Sequence, residues 1–240
     1  MSDPIYRHEL KYIISEREAG ILKRRIKELL HTDRHAEKGS YFIRSLYFED
    51  CFDSAYLDKQ AGTGKRRKYR IRVYNCSDDF ISLECKEKEG SWILKRSAVI
   101  SREELKGILK GDYSFLLGRD EPVLREFYLS CVSEGLRASV FVDYDREPFV
   151  FDPGTVRVTF DRHVRSGFRA GFKDKDLFDP GIPVYETLEN GKLIMEVKFT
   201  EFFPEVIRDL LEGEAAFQTA ASKYVMCSNA MREVRGLFSI

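Results

Sequence analysis

Apolar and polar residues alternate along much of the chain. This period of two predicts strands at 5–14, 40–49, 65–75, 79–88, 92–100, 137–146, 148–152, 155–162 and 192–200. Helical signals fall between some of them. Ser15-x-x-Glu18 has the form of a capping box, in which the two side chains each satisfy a free backbone N–H; it opens a helix to about His31. Ser101-x-x-Glu104 opens a shorter helix to about Leu109. Residues 120–135 and 204–212 form two more, the second with Pro204 near its first turn, and a long helix covers 214–235. Gly, Pro and Asp signals mark 165–190 as a long, partly mobile loop. Most strands follow one another without long intervening helices. The expected class is therefore α+β with a mainly antiparallel sheet. No repeat and no linker divides the chain, so residues 1–240 are read as a single domain.

The alternation is unusual in its polar half. In 5–14, Arg7, Glu9 and Lys11 oppose Tyr6, Leu10, Tyr12 and Ile14. In 65–75, Arg66, Lys68, Arg70 and Arg72 oppose Tyr69, Ile71 and Val73. Glu84, Lys86 and Lys88 oppose Ile81, Leu83 and Cys85. Arg157, Thr159 and Asp161 oppose Val156, Val158 and Phe160, and Lys192, Glu196 and Lys198 oppose Leu193, Met195, Val197 and Phe199. These five faces hold eleven basic and four acidic residues, a net charge of +7. An ordinary solvated sheet face mixes signs and uses Thr, Ser and Gln freely, and directly opposed like charges weaken a sheet. A barrel with an apolar exterior under helices and a wet, cationic interior explains the sorting better. Its natural ligand is a chain or cluster of phosphates, which Arg and Lys bind by charge-assisted hydrogen bonds. A few carboxylates there would hold a divalent metal bridging phosphate oxygens.

Composition changes this picture in one respect. The 40 Lys and Arg balance the 40 Asp and Glu, so a +7 interior leaves −7 elsewhere. The zero sum gives no support for a general polyanion binder. Hydrophobic content of 43% with 31 aromatic residues excludes a disordered chain. No apolar run reaches the roughly 18 residues of a membrane helix, and the N-terminus lacks signal-peptide order. The expectation is a soluble, cytoplasmic protein. Five scattered cysteines without a C-x-x-C pair read as reduced core thiols, and the four histidines show no metal-ligand spacing. Gly62-Thr63-Gly64-Lys65 lacks the phosphate-loop spacing and reads as the turn before a strand. The basic run Lys65–Arg72, with Tyr69 and Tyr74, is a candidate for stacking nucleic-acid bases. Its strict alternation turns half of it to an apolar layer, and no nucleic-acid partner is expected.

Eight short motifs in order support a family resemblance. They are Arg7-x-Glu9-x-Lys11-Tyr12, Ser45-Leu46-Tyr47-Phe48, Tyr69-Arg70-Ile71-Arg72, Leu83-Glu84-Cys85-Lys86, Tyr144-x-Arg146, Arg157-Val158-Thr159-Phe160-Asp161, Met195-Glu196-Val197-Lys198 and Ser222-Lys223-Tyr224. From about residue 5 to about 230 the chain resembles the VTC domain, the polyphosphate-polymerase module of the CYTH-like triphosphate tunnel metalloenzymes.

The resemblance implies an eight-stranded, closed antiparallel β-barrel forming a tunnel, with helices outside and the C-terminal helix closing one end. It implies phosphate binding by Lys11, Arg70, Arg72, Lys86, Lys95, Arg146, Arg157, Lys198 and Lys223, with Arg70, Arg72, Lys86 and Lys198 closest to the chemistry. Glu196, assisted by Glu9 and Glu84, would ligate Mn²⁺ or Mg²⁺. The implied activity is a metal-dependent ATP:polyphosphate phosphotransferase. The alternatives are an inorganic triphosphatase or nucleoside triphosphate hydrolase of the same superfamily, or a polyphosphate-binding module without catalysis. Arg7 stands where the cyclase and thiamine-triphosphatase branch has the first acid of E-x-E-x-K, which favours the polymerase branch. The chain shows no regulatory SPX domain and no membrane segment, so translocation would need a separately encoded membrane partner.

Overall fold

A computed structural model describes residues 8–90, 92–167, 173–200, 202–211, 219 and 221–237. Arg7 and the first residues predicted for strand 5–14 lie outside these, as do 214–218 and 220 of the predicted C-terminal helix. The strands are β1 (His8–Ser15), β2 (His31–Thr32), β3 (Tyr41–Glu49), β4 (Lys65–Tyr74), β5 (Ser77–Glu89), β6 (Trp92–Ile100), β7 (Arg137–Phe151), β8 (Val156–Gly167), β9 (Tyr185–Glu186) and β10 (Lys192–Phe199). The described α-helices are α1 (Glu16–Ile26), α2 (Ser54–Ala61), α3 (Arg102–Lys110), α4 (Pro122–Ser133), α5 (Glu205–Leu211) and α6 (Lys223–Leu237). Both predicted capping boxes form: Ser15 and Glu18 open α1, and Ser101 and Glu104 open α3. The first helix stops at Ile26 rather than His31, because His31 and Thr32 pair with Val150 and Phe149 of β7.

All ten strands form one sheet with antiparallel pairing, ordered β1-β10-β8-β7-β3-β4-β5-β6, with β2 on β7 and β9 on β8. Among the described residues no ladder joins β1 to β6, so the expected closed barrel is not made by hydrogen bonds. The sheet nevertheless coils back on itself. The Lys86 ammonium of β5 lies 2.9 Å from the Glu9 carboxylate of β1, and the His8 and Trp92 rings stand 6.5 Å apart. Side chains, not backbone pairs, span the seam.

The helices sit where the apolar parity requires them. Leu46, Ile71 and Leu83 pack under α3 and α4, against Leu105, Leu124 and Phe127. Ile14, Val158, Phe160, Met195 and Val197 pack under α1 and α5, against Leu22, Ile26 and Ile207. Full burial of such a side chain contributes about 1.5–3 kcal/mol. A third layer lies on the inner face, where Tyr224, Cys227 and Met231 of α6 meet Val142, Tyr144, Val164 and Ile194. The ladder shifts at Asp143/Asp145, opposite His163 with its φ of 49°. This bulge lets Asp161, Val164 and Ser166 all meet α6.

Three expectations change. The two strands predicted at 137–146 and 148–152 are one, β7. Pro148 interrupts the pattern but not the strand. Its carbonyl accepts from Asp33 on the side where the β3 ladder has already ended at Arg146, so its missing N–H leaves no partner unpaired. The stretch 165–190 is not one mobile loop: β8 runs to Gly167, and β9 pairs with it. Leu177 is buried, and the buried Arg44 guanidinium donates to the carbonyls of Asp176 and Asp179. Third, α2 has no counterpart in the sequence pattern, since it buries no residue. All five cysteines are free, with Cys85, Cys131 and Cys227 buried, Cys76 half-buried and Cys51 exposed. The thiols are thus only partly core groups.

Arg44 also forms a forked ion pair with Asp143, Nε at 2.9 Å and Nη2 at 2.8 Å, both side chains buried. Arg44→Met is expected to cost about 3–5 kcal/mol, because Asp143 is left charged and unpaired. Asp143→Leu in the same chain should recover most of that. Urea denaturation midpoints of the single and double variants check this; a single-variant loss below about 1 kcal/mol would contradict it.

Candidate functional site

Inside the coiled sheet lies a cavity of about 540 Å³. Its lining comes from the inward parity of β1, β10, β7, β3, β4 and β5 with Ile93 of β6, completed by α2, by Thr219, Ala221 and Ser222, and by the start of α6. Of the predicted site residues, Lys11, Arg70, Arg72, Lys86, Arg146, Lys198, Lys223, Glu9 and Glu196 line it. Three do not. Glu84 is on the inward face of β5 but is buried against Arg70 and Arg72. Lys95 turns to Glu84 at 2.7 Å. Arg157 pairs with Asp33 at 2.9 Å and donates to the Tyr41 hydroxyl.

The buried end is a closed charge network. Arg146 grips Asp161 with Nε and Nη2, both at 2.7 Å, and its Nη2 lies 3.3 Å from Glu196. Lys223 of α6 reaches Asp161 at 2.6 Å and Glu196 at 2.8 Å. Lys11 and Lys198 each bridge Glu9 and Glu196 at 3.2–3.5 Å. In the β1–β10 ladder Lys11 stands opposite Glu196 and Glu9 opposite Lys198, so the register itself supplies these pairs. On the facing wall, Arg70 donates to Glu84 at 2.7 Å and to the Tyr47 hydroxyl at 2.8 Å. Arg72 donates to Ser45 and to the Tyr144 hydroxyl.

Burial alone would raise the Glu196 carboxyl; Lys223, Lys198, Lys11 and Arg146 outweigh it and hold it well below the usual carboxylate range. Burial is likewise overcome at Glu9 by Lys11, Lys86 and Lys198, and at Glu84 by Arg70, Arg72 and Lys95. All three stay ionised at neutral pH. The amines divide. Burial would depress Lys11 and Lys223, yet Glu196 with Glu9 raises the first, and Asp161 with Glu196 raises the second. Desolvation wins at Lys198, and at Lys86, which falls to about 8 despite Glu9. It is strongest in effect at Lys68, where Lys59, Lys11, Lys86 and Arg66 reinforce it and bring the amine to about 7. The Lys68 ammonium sits 4.2 Å over the Tyr224 ring.

Lys68, Asp161, Tyr47 and Tyr144 are functional candidates that the sequence analysis named on its charged faces or in its motifs without assigning them a role. The alternation places Lys68 on the face of Arg70 and Asp161 on that of Arg157. Lys59 had no such signal, since it comes from α2.

Among the described residues no group of three or more His, Cys, Asp or Glu side chains is placed to hold a metal ion. A cage made by protein alone is therefore absent from this region. Glu9 and Glu196 do share one wall, joined through Lys11 and Lys198. Two hard oxygen donors of this kind fit Mg²⁺ or Mn²⁺ when substrate phosphates and water complete the shell. Glu84 fits poorly, since it does not line the cavity and Arg70, Arg72 and Lys95 hold its oxygens; Glu9 and Glu196 do face the cavity, and a metal there would displace ammonium partners.

The chain belongs to the VTC domain family, whose sequence profile matches residues 6–232. A search of curated proteins gives no match. Among solved structures it is similar to a candidate adenylyl cyclase from Hippeastrum described as having a dominant triphosphatase activity. That likeness has 13% identity, 94% coverage of this chain, 96% of the other, and a TM-score of 0.55. It is also similar to a candidate adenylate cyclase from Bacillus halodurans, with 16% identity, coverage of 92% and 96%, and a TM-score of 0.50. These likenesses are of fold.

Lys68 gives a test of the electrostatics. Its value of about 7 lies below the ordinary 10.5, so between these the unfolded chain binds the extra proton and stability rises with pH. Below about 7 the cost of the charged amine is felt in full. Lys68→Met should therefore raise the Tm of the ligand-free protein by about 2–4 °C near pH 6, with the gain shrinking toward pH 10. Thermal unfolding across that range checks it. A constant gain, or a loss at low pH, would refute the assignment.

Proposed function

We propose that this protein is a polyphosphate polymerase, transferring the γ-phosphate of ATP to a growing inorganic polyphosphate. One observation supports this most: seven predicted phosphate-binding cations, Lys11, Arg70, Arg72, Lys86, Arg146, Lys198 and Lys223, line a single cavity. Membership of the VTC domain family agrees with it.

In this reading a terminal oxygen of the polyphosphate attacks the γ-phosphorus, a new P–O bond forms, and the bond to the β–γ bridging oxygen breaks. ADP leaves with the electron pair. The attacking oxygen is already ionised near neutral pH, so no strong general base is needed. What the protein must do is align the two phosphate chains and offset their charge. Arg70 and Arg72 do this from β4, pre-set by Tyr47, Ser45, Tyr144 and Glu84. Lys223 and Arg146 do it from the buried end, and Lys86 and Lys198 from the seam side. Glu196 and Glu9 would hold Mn²⁺ or Mg²⁺, which when bound draws charge from the phosphate oxygens.

A hydrolase reading has its own support in Lys68. An amine near 7 facing the cavity is half neutral at physiological pH and can take a proton from water. One assay separates the readings. Incubation with ATP and Mn²⁺ is expected to yield long polyphosphate; orthophosphate without polymer would favour hydrolysis, and neither product with tight polyphosphate binding would favour a binding module. Arg70→Ala and Glu196→Gln should each lower turnover at least about a hundredfold with the far-UV spectrum unchanged. Full activity in both would remove the site assignment.

A further inference from the structure

The cations of the cavity form two sets. Toward the buried end, Arg70, Arg72, Arg146 and Lys223 each reach a carboxylate of Glu84, Asp161 or Glu196. Lys59, Arg66, Lys68 and Lys88 line the same cavity but have no ion pair with a carboxylate among the described residues. Arg66 donates instead to the Thr63 carbonyl, at 2.7 Å.

The fold holds these four together against their repulsion. Arg66 and Lys68 continue the Arg70–Arg72 face of β4. On β5, Lys88 stands directly opposite Arg66, as Lys86 stands opposite Lys68. Lys59 comes from α2, whose Gly62 cap, at φ 71°, turns the chain back into β4. Directly opposed like charges weaken a sheet. Burial, with Arg66, Lys11 and Lys88, depresses Lys59 as it does its neighbour Lys68. An uncompensated positive stripe thus continues from the compensated one.

Its length matters. Arg66 and Arg72 are six residues apart on a strand rising about 3.3 Å per residue, so this face is about 20 Å long. A triphosphate, two P–O–P links long, covers only part of it.

We propose that Lys59, Arg66, Lys68 and Lys88 form a second subsite, which binds the further phosphates of a linear polyphosphate and makes the cavity selective for chain length. The proposal rests on the phosphate-site reading above. On this view the carboxylate-matched end takes the reacting phosphates. The unmatched end gains its counter-charge only when the chain extends past them.

Calorimetric titration of the full chain with tripolyphosphate, and separately with a medium-length linear polyphosphate, tests this. In the double variant Lys59→Gln/Lys88→Gln, affinity for the long chain should fall about tenfold or more, one charge-assisted contact or better. Affinity for tripolyphosphate should stay within about twofold. The salt dependence of long-chain binding should become shallower by the same substitutions. Parallel losses for both ligands, or no loss for either, would overturn the subsite while leaving the phosphate site standing. If the unaltered protein fails to bind tripolyphosphate, the site reading falls and the subsite falls with it. Arg70→Ala should weaken both ligands, which separates the two ends of the cavity.

Discussion

The structure depends on four charges that water does not reach freely. Arg146, Asp161, Glu196 and Lys223 are all buried, two positive and two negative, and each positive group meets both negative ones at 2.6–3.3 Å. Removing any of these from water costs several kcal/mol, and only mutual pairing offsets that. The pairing is possible because three strands and a helix meet there: β7, β8 and β10 supply Arg146, Asp161 and Glu196, and α6 supplies Lys223. A buried network of this kind is weak as a source of net stability. It is strong as a constraint on arrangement, because any misplaced member leaves a charge alone.

That constraint explains why the sheet can be inverted relative to an ordinary soluble sheet. Its outer face is apolar and lies under α1, α3, α4 and α5. Its inner face is polar, and α6 packs on the remaining apolar part of it. Charge compensation is graded within this interior. Where side chains are most buried, each cation reaches a carboxylate. Toward α2 the carboxylates run out, and the amines there lose affinity for their protons instead. A polyanion is the ligand that corrects this imbalance, and it does so increasingly as it lengthens.

Much of this was legible in the residues. Inward and outward parity in the strands around Lys11, Arg70, Lys86, Asp161 and Glu196 places the cations on one face. The capping boxes at Ser15 and Ser101 marked two helix starts to the residue. Other features were hidden for identifiable reasons. The predicted break between 146 and 148 is absent from β7, because a period-two pattern cannot say on which side a neighbouring ladder has stopped. The apolar silence of α2 hid Lys59. Arg157 and Lys95 share the inward parity, yet Asp33 and Glu84 hold them away from the cavity.

The sequence by itself determined which side of each strand is charged and which is greasy, because side chains alternate strictly with a period of two. It also sorted eleven basic and four acidic residues onto one face of five predicted strands. Only the tertiary structure decided which cations keep a carboxylate partner. Pairing depends on strand register, on the bulge at His163 and on the docking of α6. These set distances of a few ångströms between residues such as Asp161 and Lys223, which stand far apart along the chain, and Coulomb attraction at such distances depends on burial as well as separation. The coiling of the sheet, closed at its seam by Glu9 and Lys86, likewise belongs to three dimensions, since neither strand carries a mark of the other.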